Sequence, residues 1–210
     1  MLKPSPAKDN DPNGFLITSM VVSIIWALII LWPHILDPFR VPIDVQNHYW
    51  MAKFQDPVLF PDDPLVYGDV LTEINIGERS ILIYPRSVGY GLLFWLGSFM
   101  ISPIWLSKVL IFLLLPITIA YLYKFGIHIG DHRLSLRLSV VFVLFNLASP
   151  DSLSLASGLQ RSFALPCFLG FAYYLSTRKY WGASLLTIVA ALFYLPNVPV
   201  LGLSFLMALA

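Results

Sequence analysis

The feature that most limits the fold of this 210-residue chain is an apolar run over residues 15–36. A helix of about 22 apolar residues is long enough to cross roughly 30 Å of hydrocarbon. The run ends in WPHILDPFR and lacks the short core and small-residue cleavage site of a signal peptide. We therefore predict a retained first transmembrane helix, preceded by a disordered cytoplasmic tail over residues 1–14, which are polar and rich in proline.

The rest of the composition agrees with a membrane protein. Hydrophobic residues make up 58% of the chain and charged residues 12%, whereas soluble domains carry about 25% charged residues. A net charge of +1 makes nucleic acid an unsuitable partner, and a single cysteine, Cys167, excludes a disulfide framework within the chain. The predicted fold class is an all-α, polytopic transmembrane helical bundle, with residues 15–210 forming one transmembrane domain.

Six further apolar segments follow a long polar loop over residues 37–85. They cover residues 87–102, 104–124, 134–148, 160–177, 180–195 and 197–210. The last two are separated by LPNVP, so they form either a hairpin or one interrupted span. Within the loop, prolines leave room for a juxtamembrane helix of about three turns between Pro42 and Pro57, and VYGDVLTEINIGERSILIY allows extended structure.

Basic residues in the short loops predict the orientation, because cytoplasmic loops are enriched in lysine and arginine. Lys124, Arg133 and Arg137 flank one such loop, and Arg178 and Lys179 occupy another. With both loops inside, the acidic loop 37–85 and the turn 148–161 face the same external compartment. An even number of membrane crossings then requires that one of the segments 87–102 and 104–124 does not span, and we favour residues 87–102 as a juxtamembrane or re-entrant helix.

The stretch DVQNHYWMAKFQDP, residues 44–57, is the strongest polar cluster next to a span. On an α-helix, Asp44, His48 and Met51 share a face, and the flanking Tyr49 and Trp50 suit a membrane interface. The stretch is therefore either a site that holds a carboxylate near an imidazole or a plain amphipathic helix, with Asp44 as its N-cap.

Two lone cations near apolar runs, Arg161 and Lys108, each have more than one interpretation. Arg161 has three alternative interpretations. Its guanidinium binds a phosphate or carboxylate ligand, snorkels towards water from a helix end, or forms an ion pair with Asp151. For Lys108 we favour snorkelling, in which the ammonium reaches towards water.

The remaining chemistry-bearing motifs are weaker. Adjacent Asp62 and Asp63 suit a divalent metal, but in FPDDP they are more typical of a turn. His128 and His132 are four residues apart in a loop predicted to be cytoplasmic, and we interpret them as a loop feature. No phosphate-binding glycine loop, HExxH or GxSxG motif occurs.

The order of these parts resembles the N-terminal part of the GT-C superfamily of membrane glycosyltransferases, which includes oligosaccharyltransferases and protein mannosyltransferases. The residues that carry the resemblance are Asp44, His48, Tyr49 and Ala52 in a D-x-x-x-H-Y-x-x-A pattern, and the SP…R turn of Ser149, Pro150 and Arg161. The family's second external acidic motif has no clear counterpart, and the family's enzymes have more spans, so we expect a part of a larger fold.

The resemblance implies transfer of a sugar from a polyprenyl-phosphate donor to an acceptor on the extracytoplasmic face. Asp44 would be the catalytic carboxylate of the first loop, acting as a general base or orienting the acceptor hydroxyl. His48, Tyr49 and Arg161 would bind substrate, with Arg161 on the donor phosphate. It implies a bacterial inner membrane or endoplasmic reticulum location and lipid partners. No cofactor is expected, although a divalent metal stays open. The alternatives are a transporter or channel subunit and a non-catalytic membrane scaffold.

Overall fold

Seven α-helices and one β-hairpin form the described part of this computed structural model. It describes residues 12–37, 49–56, 58–59, 72–76, 79–83, 87–148, 155 and 158–209. The helices are α1 (Pro12–Leu36), α2 (Val88–Ser98), α3 (Pro103–Ile129), α4 (His132–Ala148), α5 (Ala164–Ser176), α6 (Tyr180–Phe193) and α7 (Val198–Leu209). Strands β1 (Thr72–Ile76) and β2 (Arg79–Ile83) pair antiparallel, and 3₁₀ helices cover Tyr49–Phe54, Gln160–Phe163 and Leu195–Asn197. The prediction of a helical protein is confirmed, and the hairpin lies where extended structure was allowed.

Local signals at the ends of α3 and α4 explain why they form a helical hairpin. Ser102 caps α3 by accepting a hydrogen bond from the Trp105 amide, and Pro103 is the first helical residue, a position where its missing N–H costs nothing. The Asp131 carboxylate accepts a hydrogen bond from the Leu134 amide at 2.7 Å, which starts α4. Only Gly130 and Asp131 separate the two helices, so α3 and α4 run antiparallel.

Two of the helices are long and apolar enough to cross a membrane, by length and composition, among the residues described. They are α1, through Gly14–Pro33, and α3, through Pro103–Ile129. The helix α2 has 11 residues and α4 has 17, while the predicted segment 160–177 is a 3₁₀ turn that continues into the 13-residue α5. Segment 180–210 forms two helices, α6 and α7. Crossing by the shorter helices remains a prediction.

Large apolar side chains cover the outer surface of the long helices. Exposed fractions reach 61% for Ile29 on α1, 57% for Leu113 on α3 and 73% for Phe145 on α4. Such continuous apolar surface is unusual for a protein surrounded by water. The surface therefore agrees with a lipid environment, as the composition predicts.

Helix α3 is the central element of the bundle. It packs against α1, α2, α4 and α5, while α5 also packs against α6 and α7. At the α3–α4 crossing, a Cβ on Gly126 would lie 2.9 Å from the Ser135 Cα, so glycine is needed for this close approach, and small residues serve the same purpose where membrane helices pack closely. Around α3, a large hydrophobic cluster joins α1, α2 and α4 to the loop segments described next.

Candidate functional site

One end of the bundle gathers the segments that the sequence analysis singled out, and we call it the first-loop end. The Lys108 ammonium in α3 donates a hydrogen bond to the carbonyl oxygen of Asp37, the residue after α1. Helices α1 and α3 are therefore antiparallel, with the end of α1 beside the start of α3. The 3₁₀ helix Tyr49–Phe54 and residues 158–163 also lie here, through the contacts given below.

The 3₁₀ helix Tyr49–Phe54 is anchored in the core at the first-loop end. Met51 is fully buried, Phe54 is 3% exposed, and both belong to the hydrophobic cluster around α3. The Gln55 side-chain amide donates to the carbonyl oxygen of Ser98 at 3.1 Å, at the end of α2. In a 3₁₀ helix residues three apart eclipse one another, so Met51 and Phe54 point into the core together.

This geometry differs from the predicted three-turn α-helix over the part that can be compared. The described segment is a six-residue 3₁₀ helix, and Met51, predicted on the polar face, is buried instead. Asp44 and His48 lie outside the described residues. Tyr49 begins the 3₁₀ helix, and the position of its side chain is not described.

Arg161 lies on the 3₁₀ helix Gln160–Phe163, which leads into α5. Its neighbours Ser162 and Phe163 are buried, whereas the Arg161 side chain is partly exposed. The Arg161 Nε atom is buried and has no hydrogen-bond partner among the described residues. Ser149, Pro150 and Asp151 lie outside those residues, so the predicted turn is described only from its later part.

Tyr90 on α2 fixes the backbone just before Arg161. Its hydroxyl donates to the Gly158 carbonyl oxygen at 2.9 Å, and burial raises the pKa of this phenol well above its ordinary value, so it stays a donor. The Tyr90 ring lies edge-on to Phe163, with 6.2 Å between centroids, and Phe163 stacks on Phe193 of α6 at 4.4 Å. The backbone is thus fixed on both sides of Arg161, by the hydrogen bond to Gly158 before it and by the ring contacts of Phe163 after it.

Gly158 explains how this segment approaches α3. Its φ is +62°, which glycine adopts without a steric penalty, and a Cβ there would lie 2.5 Å from the Ser107 carbonyl oxygen. Neither Tyr90 nor Gly158 was singled out from the sequence. The SG pair in the turn is a local signal for a bend, but its contact with Ser107 depends on the tertiary structure.

The hydrophobic cluster brings the first loop and the Arg161 segment onto one core. Met51 and Phe54 from the first loop share it with Leu155 and Phe163. Both segments therefore lie at the first-loop end, and the backbone that carries Tyr49 and Arg161 is fixed on the same support.

Lys108 does not behave as predicted. The snorkelling interpretation requires an ammonium near water, but Lys108 is only 4% exposed. Its Nζ atom bonds to the Asp37 carbonyl and lies 5.0 Å from the centroid of the Trp105 ring, a distance typical of a cation–π contact. The interpretation is wrong, because a backbone acceptor and an aromatic face take the place of water.

The other candidate metal ligands are separated or undescribed. His128 Nε2 lies 3.1 Å from the Ser176 carbonyl oxygen, and His132 Nδ1 lies 3.2 Å from the Tyr123 hydroxyl. No group of three potential ligands occurs within the described part of the chain. Asp62 and Asp63 lie outside it.

Comparisons with protein-family models, with characterised proteins and with solved structures gave no significant match to this chain.

Proposed function

We propose that this chain is a membrane glycosyltransferase-like protein of the GT-C type, similar to the N-terminal part of those enzymes. It transfers a sugar from a polyprenyl-phosphate donor to an acceptor on the extracytoplasmic face. The observation that carries the proposal is Arg161, a cation with a buried Nε that lacks a partner among the described residues, on a segment packed onto the same core as the first loop.

Arg161 has the chemistry of a donor-phosphate ligand. A buried donor without an acceptor costs about 1–3 kcal/mol, and more when the donor is charged. A phosphate oxygen removes that cost, and guanidinium binds phosphate with two parallel hydrogen bonds. Because negative charge grows on the phosphate as the glycosidic bond breaks, a fixed cation there stabilises the transition state.

Asp44 takes its role from the family resemblance. It accepts a proton from the attacking hydroxyl or orients that hydroxyl, while His48 and Tyr49 contact the substrate. The 3₁₀ helix that begins at Tyr49 is anchored by Met51, Phe54 and Gln55. This anchoring supports the proposal, since a catalytic loop has to hold its side chains on a rigid support.

The test of catalysis is sugar transfer by membranes containing the intact protein. The donors are a panel of radiolabelled polyprenyl-phosphate hexoses, and transfer into lipid and protein fractions is counted. Asp44→Asn removes the base with little change in shape and should abolish transfer. Asp56→Asn is the matched control, because Asp56 is exposed in the same segment and should leave transfer unchanged. Wild-type transfer by Asp44→Asn at equal expression refutes the assignment.

The test of donor binding uses undecaprenyl phosphate and the purified protein. Arg161→Gln should weaken binding about 10- to 100-fold, the loss expected for a charged hydrogen-bond pair, and Arg161→Lys should recover part of it. Arg178→Gln, at an exposed arginine on another loop, is the control. Equal affinities for wild type and Arg161→Gln would remove Arg161 from the site.

Three sequence features favour a transporter, Lys108, Pro116 and Pro166, and in the structure each of them lies within a continuous helix. Lys108 is held by the Asp37 carbonyl, and α3 continues through Pro116 without a break, whereas transporter sites use discontinuous helices. An accessibility scan that placed Asp44 and Arg161 along one continuous aqueous path would revive this alternative.

A further inference from the structure

A furrow between α1 and α4 lies away from the first-loop end. It encloses about 430 Å³, within the range of small-ligand sites, and is open on the outer face of the bundle. Its walls include Val22, Trp26 and Val140, which are 57%, 38% and 48% exposed. The furrow therefore faces the region that lipid chains occupy around α1.

Three small residues form the floor of the furrow. Ser19, Ser23 and Ser139 are 8%, 4% and 2% exposed, and each hydroxyl donates to the carbonyl four residues earlier in its own helix. Because these hydroxyl protons are already used, the floor offers a ligand little polar chemistry. The small side chains make the furrow deep, and it suits a hydrocarbon chain.

Two arginines stand at one end of this furrow. Arg133 and Arg137 are exposed on α4, three residues before Leu136 and Val140, which line the furrow. Residues three apart on a helix are neighbours, so Arg133 lies about one turn before Leu136, the first lining residue of α4, and Arg137 follows Leu136 directly, within the first turn of the lining. Neither arginine has an ion pair with a described residue, and the nearby Asp131 carboxylate caps the α4 amide of Leu134.

We propose that the furrow holds one acyl chain of an anionic phospholipid, with its phosphate headgroup on Arg133 and Arg137. The apolar lining and the adjacent pair of positive charges match the two parts of such a lipid. A zwitterionic lipid fits the furrow equally well but gains less from the arginines. The site is separate from the proposed transfer site, because the N-terminal part of α1 that lines it points away from the first-loop end.

Native mass spectrometry of the purified protein tests this site. The probe is an equimolar mixture of phosphatidylglycerol and phosphatidylcholine with identical acyl chains. We expect one retained phosphatidylglycerol, favoured about 10- to 30-fold by two arginines near the headgroup. Arg133→Gln with Arg137→Gln should remove the preference, and Lys179→Gln, at an exposed lysine near the same end of the bundle, should keep it.

Substitutions that fill the furrow distinguish binding of the acyl chain in the furrow from attraction of the headgroup to the surface arginines alone. Ser139→Leu should reduce retention of both lipids, and Val140→Trp fills the furrow from an exposed wall if Ser139→Leu does not fold. Val141→Leu, on an exposed position outside the lining, should retain the lipid. Three results would each overturn the proposal. They are equal retention of both lipids by wild type, full lipid retention by the furrow-filling variants, and a dimer that carries no lipid.

Discussion

The two ends of the bundle differ in the exposure of their lysine and arginine side chains. At the basic end, defined by the α3–α4 turn and the α5–α6 turn, the described lysines and arginines are exposed: Lys124, Arg133, Arg137, Arg178 and Lys179. At the first-loop end, Lys53 and Lys108 are 3% and 4% exposed, and Arg161 is partly buried. Exposed cations interact with water and headgroups, whereas buried ones require fixed partners.

The hydrogen bonds at the two ends also differ in burial and in how far apart in the chain their partners lie. At the first-loop end, Tyr90 bonds to Gly158 across 68 residues and Lys108 bonds to Asp37 across 71. At the basic end, Tyr123 bonds to His132 across nine residues, next to a turn that already joins their helices. The basic end also has a contact across 48 residues, between His128 and the Ser176 carbonyl oxygen, but this contact is exposed to solvent. The first-loop end should therefore depend more on individual side chains, and three pairs of substitutions test this.

The largest effect is expected at Gly158. Gly158→Ala adds a Cβ 2.5 Å from a backbone oxygen of α3 at a φ of +62°, so it combines a backbone penalty with overpacking. Together these should lower the free energy of unfolding by about 2–5 kcal/mol. The measurement is denaturant unfolding in detergent micelles.

Gly202→Ala is the matched control for Gly158→Ala. A Cβ at Gly202 in α7 meets no atom within 4 Å, so alanine should be neutral or slightly stabilising in this helix. Equal destabilisation by both substitutions would show that the close approach of Gly158 to Ser107 is not required.

A smaller effect is expected for lysine removal. Lys108→Met keeps most of the side-chain volume but removes the charged hydrogen bond to the Asp37 carbonyl, which should cost about 1.5–3 kcal/mol. Lys124→Met, at an exposed position in the same helix, should change stability by less than about 0.5 kcal/mol. If both variants unfold like wild type, the buried lysine at the first-loop end contributes no more to stability than the exposed lysine at the basic end.

The smallest effect is expected for the buried tyrosines. Tyr90→Phe removes the hydroxyl that holds Gly158 and should cost about 1 kcal/mol; under the proposed function it should also weaken undecaprenyl phosphate binding by loosening the Arg161 segment. Tyr123→Phe removes the hydroxyl of a tyrosine that is also 1% exposed, at the other end of the bundle, and should leave that binding unchanged. Identical binding by wild type and both variants would mean that Tyr90 does not position Arg161.

Most helix positions could be predicted from the sequence, because they depend on local signals. The run 15–36 and the prolines and glycines around α3 mark helices that the structure places at Pro12–Leu36 and Pro103–Ile129. Basic residues near residues 124–137 and 178–179 marked one end of the bundle in the same way. These features depend on composition and spacing within about 30 residues, which sequence alone provides.

Only the tertiary structure decided which residues of the polar segments and helix ends are buried. The sequence pattern put Met51 on a polar face and Lys108 near water, yet Met51 is in the core and Lys108 bonds to Asp37. The roles of Tyr90 and Gly158 likewise depend on partners far away in the chain. The catalytic assignment of Asp44 still depends on the sequence pattern, whereas the setting of Arg161 comes from the fold, because burial and pairing depend on which distant segments meet.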